Sequence, residues 1–199
     1  MALKRQAKAE ALPADAPERV EHLRLARDIY SALGRAFEQQ GELAKAAAEH
    51  QAALRVEESI HGHRKQINYI RMLDVVGVVL AEQLVTNEAI HCFEEALNLE
   101  GELEEADSEL HIGLTTHLAN ALKDNSSWAA AMARYEEAWQ LSLPVLGEQH
   151  PRIVALCNNI GEALLMQGDL TGAGERFSAT LQVEPHSAIG LGGMGRLRE

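Results

Sequence analysis

The chain is poor in the groups that build disulfide frameworks, span membranes or hold nucleic acid. Its two cysteines, Cys92 and Cys157, lie more than sixty positions apart and each sits in an apolar helical pattern. They read as buried free thiols, which fits a reducing compartment and a cytoplasmic setting. No run of about 18 apolar residues occurs, so no transmembrane helix is expected. Lys4, Arg5 and Lys8 near the start are not followed by the apolar run of a secretory signal. Eighteen basic residues against thirty acidic ones leave a net charge of -12. Such a field repels phosphate backbones and anionic membrane surfaces, so neither nucleic acid nor membrane is expected as a partner. His61, His63, Arg64, Lys65 and Arg71 form one local basic run. It reads as a solvated helix start before it reads as a site for an acidic peptide.

Apolar residues nevertheless make up 46% of the chain, enough for a folded core. A small-residue pattern recurs every 42 to 43 positions: Leu33-Gly34-x2-Phe37, Val76-Gly77-x2-Leu80, Leu118-Ala119-x2-Leu122 and Ile160-Gly161-x2-Leu164. Each copy is followed at a fixed offset by a second one: Ala46-x3-His50-x2-Ala53, Ala89-x3-Phe93-x2-Ala96, Ala131-x3-Tyr135-x2-Ala138 and Ala173-x3-Phe177-x2-Thr180. A fixed period in this range is the signature of a repeat array, each unit burying its apolar face against the next.

Apolar positions spaced by three and four residues predict helices throughout, and no strand pattern competes with them. The spacing predicts a first helix over about 18–40, ended by Gly41, and a second from about 42 to 59, stopped by Gly62. Further pairs are expected at 64–83 with 87–104, 109–123 with 127–146, and 151–167 with 170–183. Residues 1–17 fall outside the register and read as a flexible leader with at most a short helix. The repeat domain then spans 18–199, as repeats near 18–62, 63–105, 106–148 and 149–185 and a partial fifth helix over 186–199.

Gly34, Gly77, Ala119 and Gly161 are expected where the two helices of a pair approach most closely, with Ala46, Ala89, Ala131 and Ala173 opposite. A larger side chain there would force the backbones apart. Phe37, Leu80, Leu122 and Leu164 fill the space alongside, with Phe93, Tyr135 and Phe177 packing from the second helix.

These columns resemble the tetratricopeptide repeat, whose pattern is W-x2-L-G-x2-Y, then A-x3-F, then P. Tyr30, Leu33, Gly34, Phe37, Ala46 and Ala53 fit the first copy, and Cys157, Ile160, Gly161, Leu164, Ala173, Phe177 and Pro185 fit the fourth. The long period is similar to the kinesin light chain type of repeat, with its Leu-Gly-x2-His-Pro joint before a helix containing Leu-Asn-Asn-Leu. Here Leu146-Gly147-Glu148-Gln149-His150-Pro151 precedes Leu156-Cys157-Asn158-Asn159-Ile160. The resemblance implies an all-α fold, a right-handed superhelical solenoid of antiparallel helix pairs. After Pro185 the period drops to 34, at Met194-Gly195. Apolar Ala188, Ile189, Leu191 and Met194 make that end a candidate for truncation or for self-association.

No catalytic set is legible, and the chain is read as a non-enzyme without cofactor or metal. The glycine-rich run Gly190 to Gly195 lacks the preceding strand and following helix of a phosphate loop. His61-x-His63 and the adjacent His91-Cys92 have no ligand-grade spacing. His50 takes an aromatic column and reads as a packed, hydrogen-bonded core histidine. Asn125-Ser126-Ser127 reads as a loop, and the Glu104-Glu105 and Glu136-Glu137 pairs as solvated charge.

By resemblance, the first helix of each pair lines a peptide-binding groove. The residues carried over to it are Ser31, Arg35, Asp74, Val78, Thr116, Asn120, Asn158 and Glu162, with Asn159 alongside. Asparagine can both donate to and accept from a peptide backbone, although it can equally tie neighbouring helices. The Lys and Asn clamp of chaperone-binding members has no counterpart at Ser31, Arg35, Asp74 and Val78. The expected function is a protein interaction scaffold that binds a peptide or partner segment. The alternative is a sensory or regulatory domain of a larger signalling or transcription-control protein.

Overall fold

Residues 1–14, 16–61, 66–104 and 107–183 are described by a computed structural model. Among them every regular element is helical: α1 (Ala2–Glu10), α2 (Pro17–Gln39), α3 (Leu43–His61), α4 (Ile67–Glu82), α5 (Thr86–Glu100), α6 (Ser108–Asp124), α7 (Trp128–Leu146), α8 (Pro151–Gln167) and α9 (Leu170–Val183). Two compact units divide at Asp107 and Ser108. In the first, α2 packs on α3, α4 on α5 and α3 on α4; in the second, α6 packs on α7, α8 on α9 and α7 on α8.

The small-residue column has the expected role. A methyl group added at Gly34 would stand 2.5 Å from the His50 ring, at Gly77 2.6 Å from Phe93, and at Gly161 2.8 Å from Phe177. These separations are below van der Waals contact, so the ring of the second helix occupies the volume that glycine leaves free. Phe93, Tyr135 and Phe177 are almost completely buried, as are the alanines Ala46, Ala89, Ala131 and Ala173. His50 is buried too, and its Nε2 lies 2.8 Å from Glu38 Oε1 on the paired helix. A histidine thus replaces a phenyl ring because Glu38 satisfies its polar edge.

The turn inside each pair uses one further column. Gly41, Leu84, Ser126 and Gly168 all have positive φ, at 73°, 63°, 59° and 85°. At each turn the next residue's N–H reaches back to a carbonyl in the last helical turn: Glu42 to Phe37, Val85 to Leu80, Ser127 to Leu122 and Asp169 to Leu164, at 2.9 to 3.0 Å. A left-handed residue that closes a six-residue loop in this way is a Schellman cap. Glycine adopts the conformation freely, whereas Leu84 and Ser126 hold it at a conformational cost.

The joint before α8 has its own logic. Gly147 leaves α7 at a φ of 77°, and Nδ1 of His150 accepts a hydrogen bond from the Arg152 N–H at 3.2 Å. Pro151 occupies the first turn of α8, where its missing N–H costs nothing. Gly, His and Pro thus each supply one step in ending a helix and starting the next.

The segment expected as a leader contains one short helix. Residues 2–10 form α1, which packs on α2 with Ala2 and Ala9 in a cluster with Leu23, Ala26, Tyr30, Ala53 and Val56. Arg19 donates to the carbonyls of Ala9 and Leu12 at 3.3 and 3.1 Å, and the Tyr30 hydroxyl donates to Gln6 at 3.2 Å. The helix is short and its buried residues are alanines, so its stability comes from this tertiary contact rather than from a strong periodic signal. Gly62, His63, Arg64, Lys65, Glu105, Pro185, the expected partial helix over 186–199 and the glycine-rich run lie outside the described residues.

Candidate functional site

On a helix, residues three or four apart share a face, so Ser31, Arg35 and Glu38 of α2 form one line and Asp74, Val75, Val78 and Glu82 of α4 another. The two lines border a furrow in the first unit. Arg27, Asp28, Ser31, Arg35, Asn68 and Met72 line its beginning. Ser31 and Arg35 continue to Glu38, His50 and Val75. Glu38, Gln39, Asp74, Val75, Val78, Val79 and Glu82 form the far end. All four residues expected here, Ser31, Arg35, Asp74 and Val78, border this furrow.

Its electrostatics are uneven. The Arg27 guanidinium is held 2.7 Å from buried Glu57 and 2.8 Å from Asp28. Arg27 is pushed downward by its burial, but the Glu57 and Asp28 contacts together outweigh this and raise it. Arg35 is exposed and has no ion-pair partner among the described residues. Val75 is 40% exposed, an apolar surface on the furrow wall. Met72 and Val75 are functional candidates that sequence reasoning missed. They sit 41 and 44 positions after Ser31, one repeat along, and an offset between neighbouring repeats could have pointed to them.

In the second unit Asn120 and Asn159 are engaged with neighbouring side chains. The Tyr135 hydroxyl donates to Asn120 Oδ1 at 2.5 Å, and Asn159 Nδ2 approaches the same oxygen at 3.5 Å. Burial raises the Tyr135 phenol, with Asp124 and Glu162 adding to the effect, so it stays a donor. Thr116 returns its hydroxyl to the Ile112 carbonyl at 2.7 Å. Glu162 lies 3.8 Å from Lys123. Asn158 is buried, with no partner for its side-chain oxygen among the described residues, and so is not offered on an open surface. Asn120, Asn159, Lys123 and Glu162 form a seam between α6 and α8, whereas Asn158 and Thr116 are turned to their own surroundings.

A separate depression between α7, α8 and α9 is lined by Trp139, Leu143, Ile153, Cys157, Arg176 and Thr180 among others. Arg176 stacks 4.9 Å over the Trp139 ring and pairs with Glu136 at 2.5 Å. Burial pushes the Cys157 thiol up against the opposing pull of Arg176, and pushes Cys92 up to about 11, with Glu95 and Glu88 assisting. Neither is an activated nucleophile. Among the described residues no group of three or more His, Cys, Asp or Glu side chains could hold a metal, and no helix is long and apolar enough to cross a membrane.

Paired antiparallel helices with small residues at the crossings and side-chain-lined furrows between first helices define a helical-repeat protein. Residues 114–152 match the family model of the tetratricopeptide repeat, a span running from α6 through the His150-Pro151 joint. The structure is similar to that of BtubC (BKLC) from P. vanneervenii, with a TM-score of 0.66 and 21% identity over 99% of this chain and 83% of that one. It is similar to the kinesin light chain structure of Podosopora anserina with nearly identical TPR-like repeats, at 0.67 and 15% over 92% and 83%. A third likeness is to the APC/C hetero-tetramer Cut9-Hcn1, at 0.67 and 16% over 100% of this chain and 36% of that one. No curated protein matches the sequence. Within the helical-repeat class, the fold is that of tetratricopeptide-type solenoids such as these kinesin light chain-like structures, and residues 114–152 carry the sequence match to the repeat itself. Such repeats generally mediate protein–protein interaction.

Proposed function

We propose that the chain is a non-catalytic interaction scaffold that binds a segment of a partner protein along the first helices of its repeats. The observation that supports this most is the furrow between α2 and α4. It joins a guanidinium with no ion-pair partner among the described residues, exposed valine surface and carboxylates along adjoining depressions that share lining residues. Apolar surface gives such a site affinity, while peripheral polar groups select and orient the partner. The likeness to a chain of the Cut9-Hcn1 hetero-tetramer agrees with an assembly role. On this reading the partner is a protein, not nucleic acid or membrane, and the setting is cytoplasmic.

Asn120 and Asn159 contribute through structure in this account, because their amides are already engaged. The test is binding of the purified chain to a peptide array, repeated with Arg35→Ala and Val78→Asp. The expected result is loss of signal on a common set of peptides in both variants, at unchanged thermal stability. Undiminished binding by both would refute the assignment of the furrow.

A further inference from the structure

The α2–α4 furrow has a direction. Its lining carries two guanidinium groups, Arg27 and Arg35, against four carboxylates, Asp28, Glu38, Asp74 and Glu82. The Arg27 and Asp28 charges meet each other at one end. Glu38, Asp74 and Glu82 gather at the other, around the apolar surface of Val75 and Val78, with buried Val79 beneath. Glu38 accepts from His50 through Oε1, which fixes its carboxylate at the edge of the furrow. The side chain of Glu82 is exposed. The apolar floor and the acidic rim therefore lie together, and the net charge of -12 strengthens the same sign of field.

Length limits what can lie there. From Arg27 to Gln39 the α2 wall rises about 18 Å at 1.5 Å per residue. An extended chain covers that distance in about five or six residues. A helix laid in the furrow would need a broader apolar face than Met72, Val75, Val78 and Val79 supply.

We infer that the furrow takes a short extended partner segment in which an apolar side chain rests on Val75 and Val78 and a neighbouring lysine or arginine meets the Glu38, Asp74 and Glu82 rim. This inference rests on the interaction reading above and adds the chemistry of the partner. The apolar contact supplies the bulk of the affinity, and the basic residue discriminates against acidic segments by charge repulsion as well as attraction. The contribution of exposed charges falls with added salt.

The experiment is selection of random hexapeptides by the full chain, with selected peptides then titrated by fluorescence anisotropy against the unaltered protein, Glu82→Lys and Val75→Ser. Thermal melts confirm that both variants fold. The expected outcome is enrichment of an apolar residue within two positions of Lys or Arg. Affinity should drop about fivefold or more in each variant, as for the loss of a peripheral charge or an apolar contact. Selection of acidic or neutral peptides, or affinities unmoved by Glu82→Lys, would overturn the basic-partner inference while leaving the interaction reading standing. Selection of no peptide at all would overturn both.

Discussion

The two units use the same column of their first helices in opposite ways. In the first unit, Ser31, Arg35, Asp74 and Val78 border an open furrow with exposed Val75 on its wall. In the second unit the corresponding Asn120 is consumed by internal contacts to Tyr135 and Asn159. Register in a repeat therefore fixes where a side chain points, and chemistry decides whether it stays available. A charged or aliphatic residue that cannot satisfy a neighbouring helix stays on the surface. An amide within reach of a buried hydroxyl becomes part of the core.

The difference can be broken in graded steps. Gly77→Val in the first unit should cost about 1–3 kcal/mol, because even the first added carbon meets the buried Phe93 ring at 2.6 Å. The second unit accepts Ala119 in the same column beside Tyr135, so Ala119→Gly there should cost only about 1 kcal/mol through helix propensity. Urea denaturation of both variants checks the ordering. A smaller cost for Gly77→Val than for Ala119→Gly would mean that the crossings are looser than their geometry indicates.

Asn120→Ala should destabilise by about 1–3 kcal/mol, since it strands the buried Tyr135 hydroxyl. Arg35→Ala, its counterpart in the furrow, should stay within about 0.5 kcal/mol. Comparing their melting curves separates an internal tie from a free surface group. Equal losses would remove the contrast between the units.

The last expected change is a gain. Leu84 holds a φ of 63° at the end of α4 and is 83% exposed, so Leu84→Gly removes conformational strain and little packing. A stabilisation of about 1 kcal/mol is expected after allowing for the added freedom of glycine in the unfolded chain. Chemical denaturation measures it. Destabilisation instead would show that the leucine side chain contributes packing that outweighs its backbone cost.

The helix pairs were legible because their signals are local and repeated. Gly34, Gly77 and Gly161 recur at fixed distances from the rings that cover them, and four copies of one spacing leave little room for another architecture. Helix α1 was not legible as a packed element, because Ala2 and Ala9 are too small to stand out against an alanine-rich background. The turn column was half visible. Gly41 and Gly168 announce left-handed backbone, whereas Leu84 and Ser126 give no sign of it in their chemistry.

The candidate site followed the same division. The family resemblance carried the groove over to Ser31 and Arg35, and sequence distance places those two neighbours on one helix face. The facing wall, Met72 and Val75, depends on how far one helix is shifted against the next. Whether Asn120 is free or tied depends on a 2.5 Å contact to a residue on another helix. Neither quantity is contained in a local spacing.

The central claim is that the furrow between α2 and α4 is where a partner segment lies. Hydrogen exchange of the full chain with and without a saturating selected hexapeptide tests it directly. The account predicts slowed exchange in α2 from Ser31 to Gln39 and in α4 from Asn68 to Glu82, with α6 and α8 unchanged. Protection confined to α6 and α8, with α2 and α4 unaffected, would contradict it.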